Sequence, residues 1–137
     1  YPYIFNSDRV GKRMVAASVD TNMHDIGIRM VADFFEMTGW DTYYLGGNTP
    51  PEAIIEALEM NQPHLLALSA TISQQIGTVQ STIERIRDLP KFKQLKIIVG
   101  GHPFNIVPDL WRKVGADGCA RSAEEAIQLA NQLTQPS

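Results

Sequence analysis

Three short segments of the sequence bring together side chains whose types could hold a ligand. The first is Asn22-Met23-His24-Asp25-Ile26-Gly27, in which an imidazole follows an apolar run and opens an amphipathic one. Imidazole suits borderline transition metals. The start of a helix favours the neutral ring, which keeps a lone pair available for donation. Taken alone, the same histidine also suits a helix cap or a packing contact. The second segment, Ser69-Ala70-Thr71-Ile72-Ser73, carries three small hydroxyls at alternate positions. They can satisfy the polar atoms of a buried ligand without filling its space, or equally bond backbone groups at a strand end. The third is Gly100-Gly101-His102, where paired glycines remove two β-carbons at a point of close backbone approach. Glycine pairs also build plain turns, and His102 reads either as a ligand contact or as an ordinary loop residue. Phe104, just beyond, is a further candidate contact.

Other chemically capable residues have plainer readings. His64 follows Pro63 at a strand entrance and is expected on the surface, while Trp40 and Trp111 are expected as packing anchors. Cys119 has no second thiol or basic cluster beside it and reads as a buried strand residue. The ligand loops contain no nucleophile–base pair and no paired carboxylates. The expectation is therefore a binding module, not an enzyme in its own right.

These segments must be positioned by the elements around them, and short β-type runs alternate with amphipathic stretches along the chain. Strands are expected at 13–19, 41–45, 65–70, 95–99 and 117–120. The first helix is expected from Asp25 to Met37, with Ile26, Met30, Val31, Phe34 and Phe35 at helical spacings and Gly39 closing it. Thr49 is expected to cap a second helix that has Pro50 and Pro51 in its first positions and Ala53, Ile54, Ala57 and Leu58 facing inward. A third spans 76–89, with Ile76, Val79, Ile83 and Ile86 inward, and a short fourth spans 106–114. Ser122 caps the last, with Glu125 at the capping-box position and Ala126, Leu129, Ala130 and Leu133 inward. Such alternation predicts an α/β fold: a flavodoxin-like, doubly wound, five-stranded parallel sheet of order 2-1-3-4-5 with helices on both faces. Ligands in this architecture bind outside the carboxyl ends of the strands. The loops after strands one, three and four are the three segments described above.

Bulk properties bound the function. A chain of 137 residues with 44% hydrophobic and 20% charged residues is enough for one domain with a real core. A net charge of -3 with scattered Lys and Arg argues against direct nucleic-acid contact and against an anionic membrane surface. No apolar run suits a bilayer span and no signal peptide opens the chain, so no membrane partner is expected. The single cysteine suits a reducing, cytoplasmic setting. Residues 1–11 are expected to be a linker or the tail of an upstream region, and 12–135 the ligand-binding domain.

The set His24-Asp25-Ile26-Gly27, Ser69-Ala70-Thr71 and Gly100-Gly101 resembles the B12-binding domain family, whose pattern is D-x-H-x-x-G, then S-x-L, then G-G. Tyr44-Leu45-Gly46 with Pro50-Pro51-Glu52, and Gly115-Ala116-Asp117-Gly118 with Glu124-Glu125-Ala126, agree with it, so the similarity runs over roughly residues 12 to 134. The resemblance implies a cobalamin cofactor held base-off and His-on, its dimethylbenzimidazole tail detached from cobalt and threaded into a slot between strands three and four. His24 would then be the lower axial ligand. Ser69, Thr71 and Ser73 would line the tail pocket with Gly100 and Gly101, and Gly27 would let the loop approach the corrin. Two positions depart from the pattern. Asn22 stands where the family has Asp, so the axial ring would be oriented by a neutral carbonyl oxygen and the Co–N bond would be weaker. Thr71 stands where the family has Leu, giving a smaller and more polar wall.

The resemblance leaves the role open between two readings. The stretch 27–36 with Gly39-Trp40-Asp41 resembles cobalamin-binding domains of regulators, which implies a sensor of cobalamin or of light, acting in signal transduction or transcription regulation as a photoreceptor does. The alternative is the corrinoid carrier module of a cobalamin-dependent methyltransferase or mutase. A degenerate domain binding another tetrapyrrole is a third. The sensor is the reading favoured by the sequence, with an upstream helical cap, effector or enzyme domain as the partner that covers the upper face of cobalt.

Overall fold

Strands covered on both faces need apolar side chains at successive positions rather than alternate ones, and the chain supplies them at Met14–Ala17, Leu65–Leu68 and Ile97–Val99. The computed structural model describes residues 9–19, 26–46, 49–71 and 73–135, apart from the side chains of Ile26 and Ser73. In chain order the elements are β1 (Arg13–Ser18), α1 (Ile26–Met37), β2 (Asp41–Tyr44), α2 (Pro51–Asn61) and β3 (Leu65–Ser69). They continue with α3 (Ile76–Arg87), β4 (Lys96–Gly100), α4 (His102–Ile106), α5 (Leu110–Val114), β5 (Gly118–Cys119) and α6 (Ala123–Leu133). The five strands form one sheet in the order β2-β1-β3-β4-β5, and every pairing is parallel. This is the doubly wound, flavodoxin-like arrangement.

Side chains alternate across each strand and build a separate core on each face. Val15, Ala17, Leu66, Leu68, Ile97 and Val99 pack with Ile54 and Leu58 of α2, Val79, Ile83 and Ile86 of α3, and Val114 of α5. On the opposite face Met14, Ala16, Leu65, Ala67 and Ile98 meet Ile28, Ala32 and Phe35 of α1 and Ala126 and Ala130 of α6. Trp40 closes the lower end of this second core edge-to-face on Phe35, with ring centroids 5.2 Å apart. Such a pair adds about 0.5–1.5 kcal/mol beyond its buried area. The outer strand is held by Asp117, whose Oδ2 accepts from the Ile97 N–H and from the Arg87 guanidinium, both at 2.8 Å.

Register then decides what lies at the carboxyl edge. Ser18 pairs with Ser69, and Ser69 with Gly100, while one step lower on the same face Ala16 pairs with Ala67 and Ala67 with Ile98. The face covered by α1 and α6 therefore ends in small residues just where a doubly wound sheet binds ligands.

Two expectations about elements change, and one exposure stands out. The stretch 106–114 is not one helix: Val107 is extended (φ -95°, ψ 111°) because Pro108 disfavours a helical residue before it, so α4 and α5 are separate. Thr49 does not cap α2, since its hydroxyl donates to the Gly46 carbonyl at 3.1 Å and the N-cap position falls to Pro50. Met30 does not face the core and is 61% exposed.

Candidate functional site

A cavity of about 390 Å³ lies over the carboxyl ends of β3 and β4, walled by the first turns of α1 and α6. That volume is in the range of small-molecule sites. Its floor is Ala67 and Ser69 of β3 with Ile98 and Gly100 of β4, and Thr71 and Gly101 continue it into the loops. Gly27, Ile28, Met30 and Val31 form one wall, and Ala120, Arg121, Ser122, Ala123 and Ala126 the other. The exposed Met30 is thus a flexible apolar side chain at the mouth, a role that explains its absence from the core.

Local chemistry explains why the space stays open. Gly101 has φ +116°, and a β-carbon there would lie 1.9 Å from the Ala70 carbonyl oxygen, so only glycine turns the chain away from β4 at this point. A β-carbon on Gly100 would come to 3.1 Å from the Ala120 carbonyl oxygen, closing the gap between β4 and the loop that leads into α6. On the opposite rim, the Ser122 hydroxyl accepts from the Glu125 N–H at 3.1 Å and Glu125 Oε1 accepts from the Arg121 N–H at 3.3 Å. This reciprocal cap fixes the first turn of α6 and is worth about 1 kcal/mol. The Thr71 N–H donates to Gln75 Oε1 at 3.1 Å, pinning the loop after β3 to the turn before α3.

The residues singled out from sequence divide into three groups. Gly27, Ser69, Thr71, Gly100 and Gly101 come together around the cavity. His102 is exposed at the start of α4 and does not line it. Phe104 is 5% exposed and packs into the core on the other face of the sheet, so its expected ligand contact is replaced by a packing role. Asn22, Met23, His24 and Asp25, and the side chains of Ile26 and Ser73, lie outside the described residues. The expected slot also changes: β3 and β4 are hydrogen-bonded neighbours, so no group passes between them, and the space lies above their ends instead.

Other residues fall into the lining without having been expected. Asn105, Arg121, Ser122 and Ala123 belong to the ends of α4 and α6. Their signal was the strand order itself, which sets the loop after β5 beside the loop after β4. His64 is not a free surface residue. Its Nδ1 accepts from the Arg13 N–H at 3.1 Å at the amino edge of the sheet, and burial, then the charges of Arg13 and Lys12, push its pKa below the ordinary 6.5. Cys119 is half-buried, and burial pushes its thiol pKa up, which keeps it un-ionised and unreactive.

A mostly apolar cavity with small residues along its floor and a few hydroxyl and amide groups at its edge suits a flat heteroaromatic group joined to a polar chain. It lies at the carboxyl edge of a flavodoxin-like sheet, where this architecture binds ligands. The chain matches the family described as the B12 binding domain over residues 12–130, and it belongs to that family. Its cofactor is accordingly a corrinoid.

Among known proteins, dimethylamine corrinoid protein 1 of Methanosarcina mazei is 26% identical over 121 residues, covering 88% of this chain and 55% of that protein. The chain thus spans about half the length of the curated relatives it matches. In fold it is similar to a cobalamin-binding protein from Desulfitobacterium hafniense (TM-score 0.82, 22% identity, 90% of this chain and 60% of that one). It is also similar to a chain of the methanol:cobalamin methyltransferase complex MtaBC from Methanosarcina barkeri (TM-score 0.77, 18% identity, 92% of this chain and 48% of that one). Among the described residues no helix is long and apolar enough to cross a membrane.

Proposed function

We propose that this chain is the corrinoid-holding module of a methyl-carrying protein, with the nucleotide tail housed over β3 and β4 and His24 as the lower axial ligand. The observation that carries the reading is the cavity between α1 and α6, floored by Ala67, Ser69 and Gly100. The curated relative named above is a corrinoid protein, which favours carriage over the sensing role expected from the sequence. When bound, the corrinoid supplies the cobalt centre that takes up and gives up a methyl group.

The protein's own residues supply position. Ser69 and Thr71 offer hydroxyls to the polar edge of the tail, while Gly100 and Gly101 keep the backbone clear of it. The first turn of α1, through Gly27 and Ile28, forms the wall that follows His24 in the chain. Asn22 would offer the His24 ring a carbonyl oxygen without charge, which would leave the imidazole a weaker donor to the metal than a carboxylate partner would. The partner that covers the upper face of the cofactor is a methyltransferase subunit, as the resemblance to the MtaBC complex suggests.

The test is electron paramagnetic resonance of the complex in its cobalt(II) form, with protein grown on ordinary or 15N-labelled histidine. An axial imidazole splits the signal through its nitrogen nuclear spin, so the pattern should change with the label. It should lose that sensitivity in His24→Ala but keep it in His102→Ala. A wild-type spectrum indifferent to the label would remove His24 from the metal.

A further inference from the structure

Among the described residues, the cavity has one charged residue in its lining, Arg121, and no acid. Arg121 stands directly before the Ser122 cap of α6, at the positive end of an eleven-residue helix. Its backbone N–H is already taken by Glu125 Oε1. Among the described residues its guanidinium makes no ion pair. Glu124 and Glu125 belong to the same first turn but lie outside the lining. Among the described residues, a mostly apolar chamber therefore presents a single cation without an ion pair at its edge.

This matters because of what a corrinoid's tail carries. The nucleotide is joined to the corrin through a phosphodiester, which holds one negative charge at every pH where a protein is folded. Drawing that anion toward an apolar wall is unfavourable unless a donor meets it. A guanidinium meets it well, since its planar fork matches two phosphate oxygens and is less strongly hydrated than an ammonium. The floor residues Ala67, Ser69, Ile98 and Gly100 are neutral, so none of them offers that anion a compensating charge.

We infer that Arg121 is a specificity-determining residue that pairs with the tail phosphodiester and so selects corrinoids bearing a complete nucleotide over truncated ones. The inference rests on the cavity being the tail's housing, as proposed above. It is tested by titrating the protein with hydroxocobalamin and with cobinamide, which has the same corrin but no nucleotide, following binding by the visible spectrum and tryptophan quenching. Wild type should prefer hydroxocobalamin. Arg121→Gln should weaken that ligand by about tenfold, a difference of ~1.4 kcal/mol, leave cobinamide unchanged, and lessen the salt dependence of hydroxocobalamin binding. Arg121→Lys should recover part of the preference through charge alone. Equal losses for both corrinoids in Arg121→Gln, or no loss for either, would overturn the role of Arg121 while leaving the tail housing intact. A wild type that binds both equally well, with Gly100→Leu binding as wild type does, would overturn the housing itself. Unchanged far-ultraviolet circular dichroism confirms that each variant is folded.

Discussion

At the scale of single residues, two glycines on the same cavity separate a backbone requirement from a space requirement. At Gly101 both the φ of +116° and the 1.9 Å approach to the Ala70 oxygen forbid a β-carbon. Gly101→Ala should therefore cost about 3 kcal/mol or more, combining left-handed strain with displacement of the β3 loop, seen as a lower urea midpoint. Gly27 is the opposite case. It is the second residue of α1, and a β-carbon there meets nothing within 4 Å. Gly27→Ala should raise stability by up to ~1 kcal/mol through helix propensity. Gly27 also lines the cavity, so corrinoid affinity should fall as stability rises. A variant both more stable and equally tight in binding would show that the α1 wall does not touch the cofactor.

At the scale of elements, the two edges of the sheet do different jobs. The carboxyl edge carries the small-residue cavity, whereas at the amino edge His64 joins three strands. Its N–H donates to the Arg13 carbonyl, its carbonyl accepts from the Lys96 N–H, and its Nδ1 accepts from the Arg13 N–H. Burial, with Arg13 and Lys12 nearby, lowers its pKa in the fold. The unfolded chain then binds the extra proton first, as pH drops through about 6.5. Stability should accordingly decline from that pH downward and level off once the folded ring also protonates. His64→Asn keeps an acceptor near the Arg13 N–H but cannot titrate, so urea unfolding between pH 7.5 and 5 should show a flatter profile. An identical slope in the variant would place the titration elsewhere.

The same elements show what could be read without coordinates. The strand order was legible because unbroken apolar runs such as Leu65–Leu68 mark a sheet covered twice, and βαβ units have few ways to wind. The Ser122–Glu125 cap was legible because it is local chemistry. Helix 106–114 was misread because the pre-proline constraint at Val107 outweighs the propensity of its neighbours. Met30 shows that helical periodicity records which positions share a face, and cannot record that a cavity rather than a core lies beneath part of that face. Arg121 was overlooked for a related reason: its importance comes from the loop after β5 lying beside the loop after β4, a relation between distant segments.

At the scale of the whole molecule, the two-faced core makes ligand binding an asymmetric event. One face, with α2, α3 and α5 over Leu66, Leu68, Ile97 and Val99, is a filled core. The other is filled only below Ala67 and Ile98, and above them α1 and α6 stand apart around the cavity. A tail inserted there would bridge the two helices and supply the contacts that the small residues leave unmade. Hydrogen exchange with and without hydroxocobalamin should therefore show new protection in the first turns of α1 and α6 and in the loop around Gly101, with little change along α2. Because binding to the folded chain alone adds stability by mass action, a hundredfold excess over Kd should add ~2.7 kcal/mol to unfolding and raise Tm accordingly. Protection spread evenly over both faces would mean that the cofactor acts through global stability only. Protection centred on α2 and α3 would place it on the wrong side of the sheet.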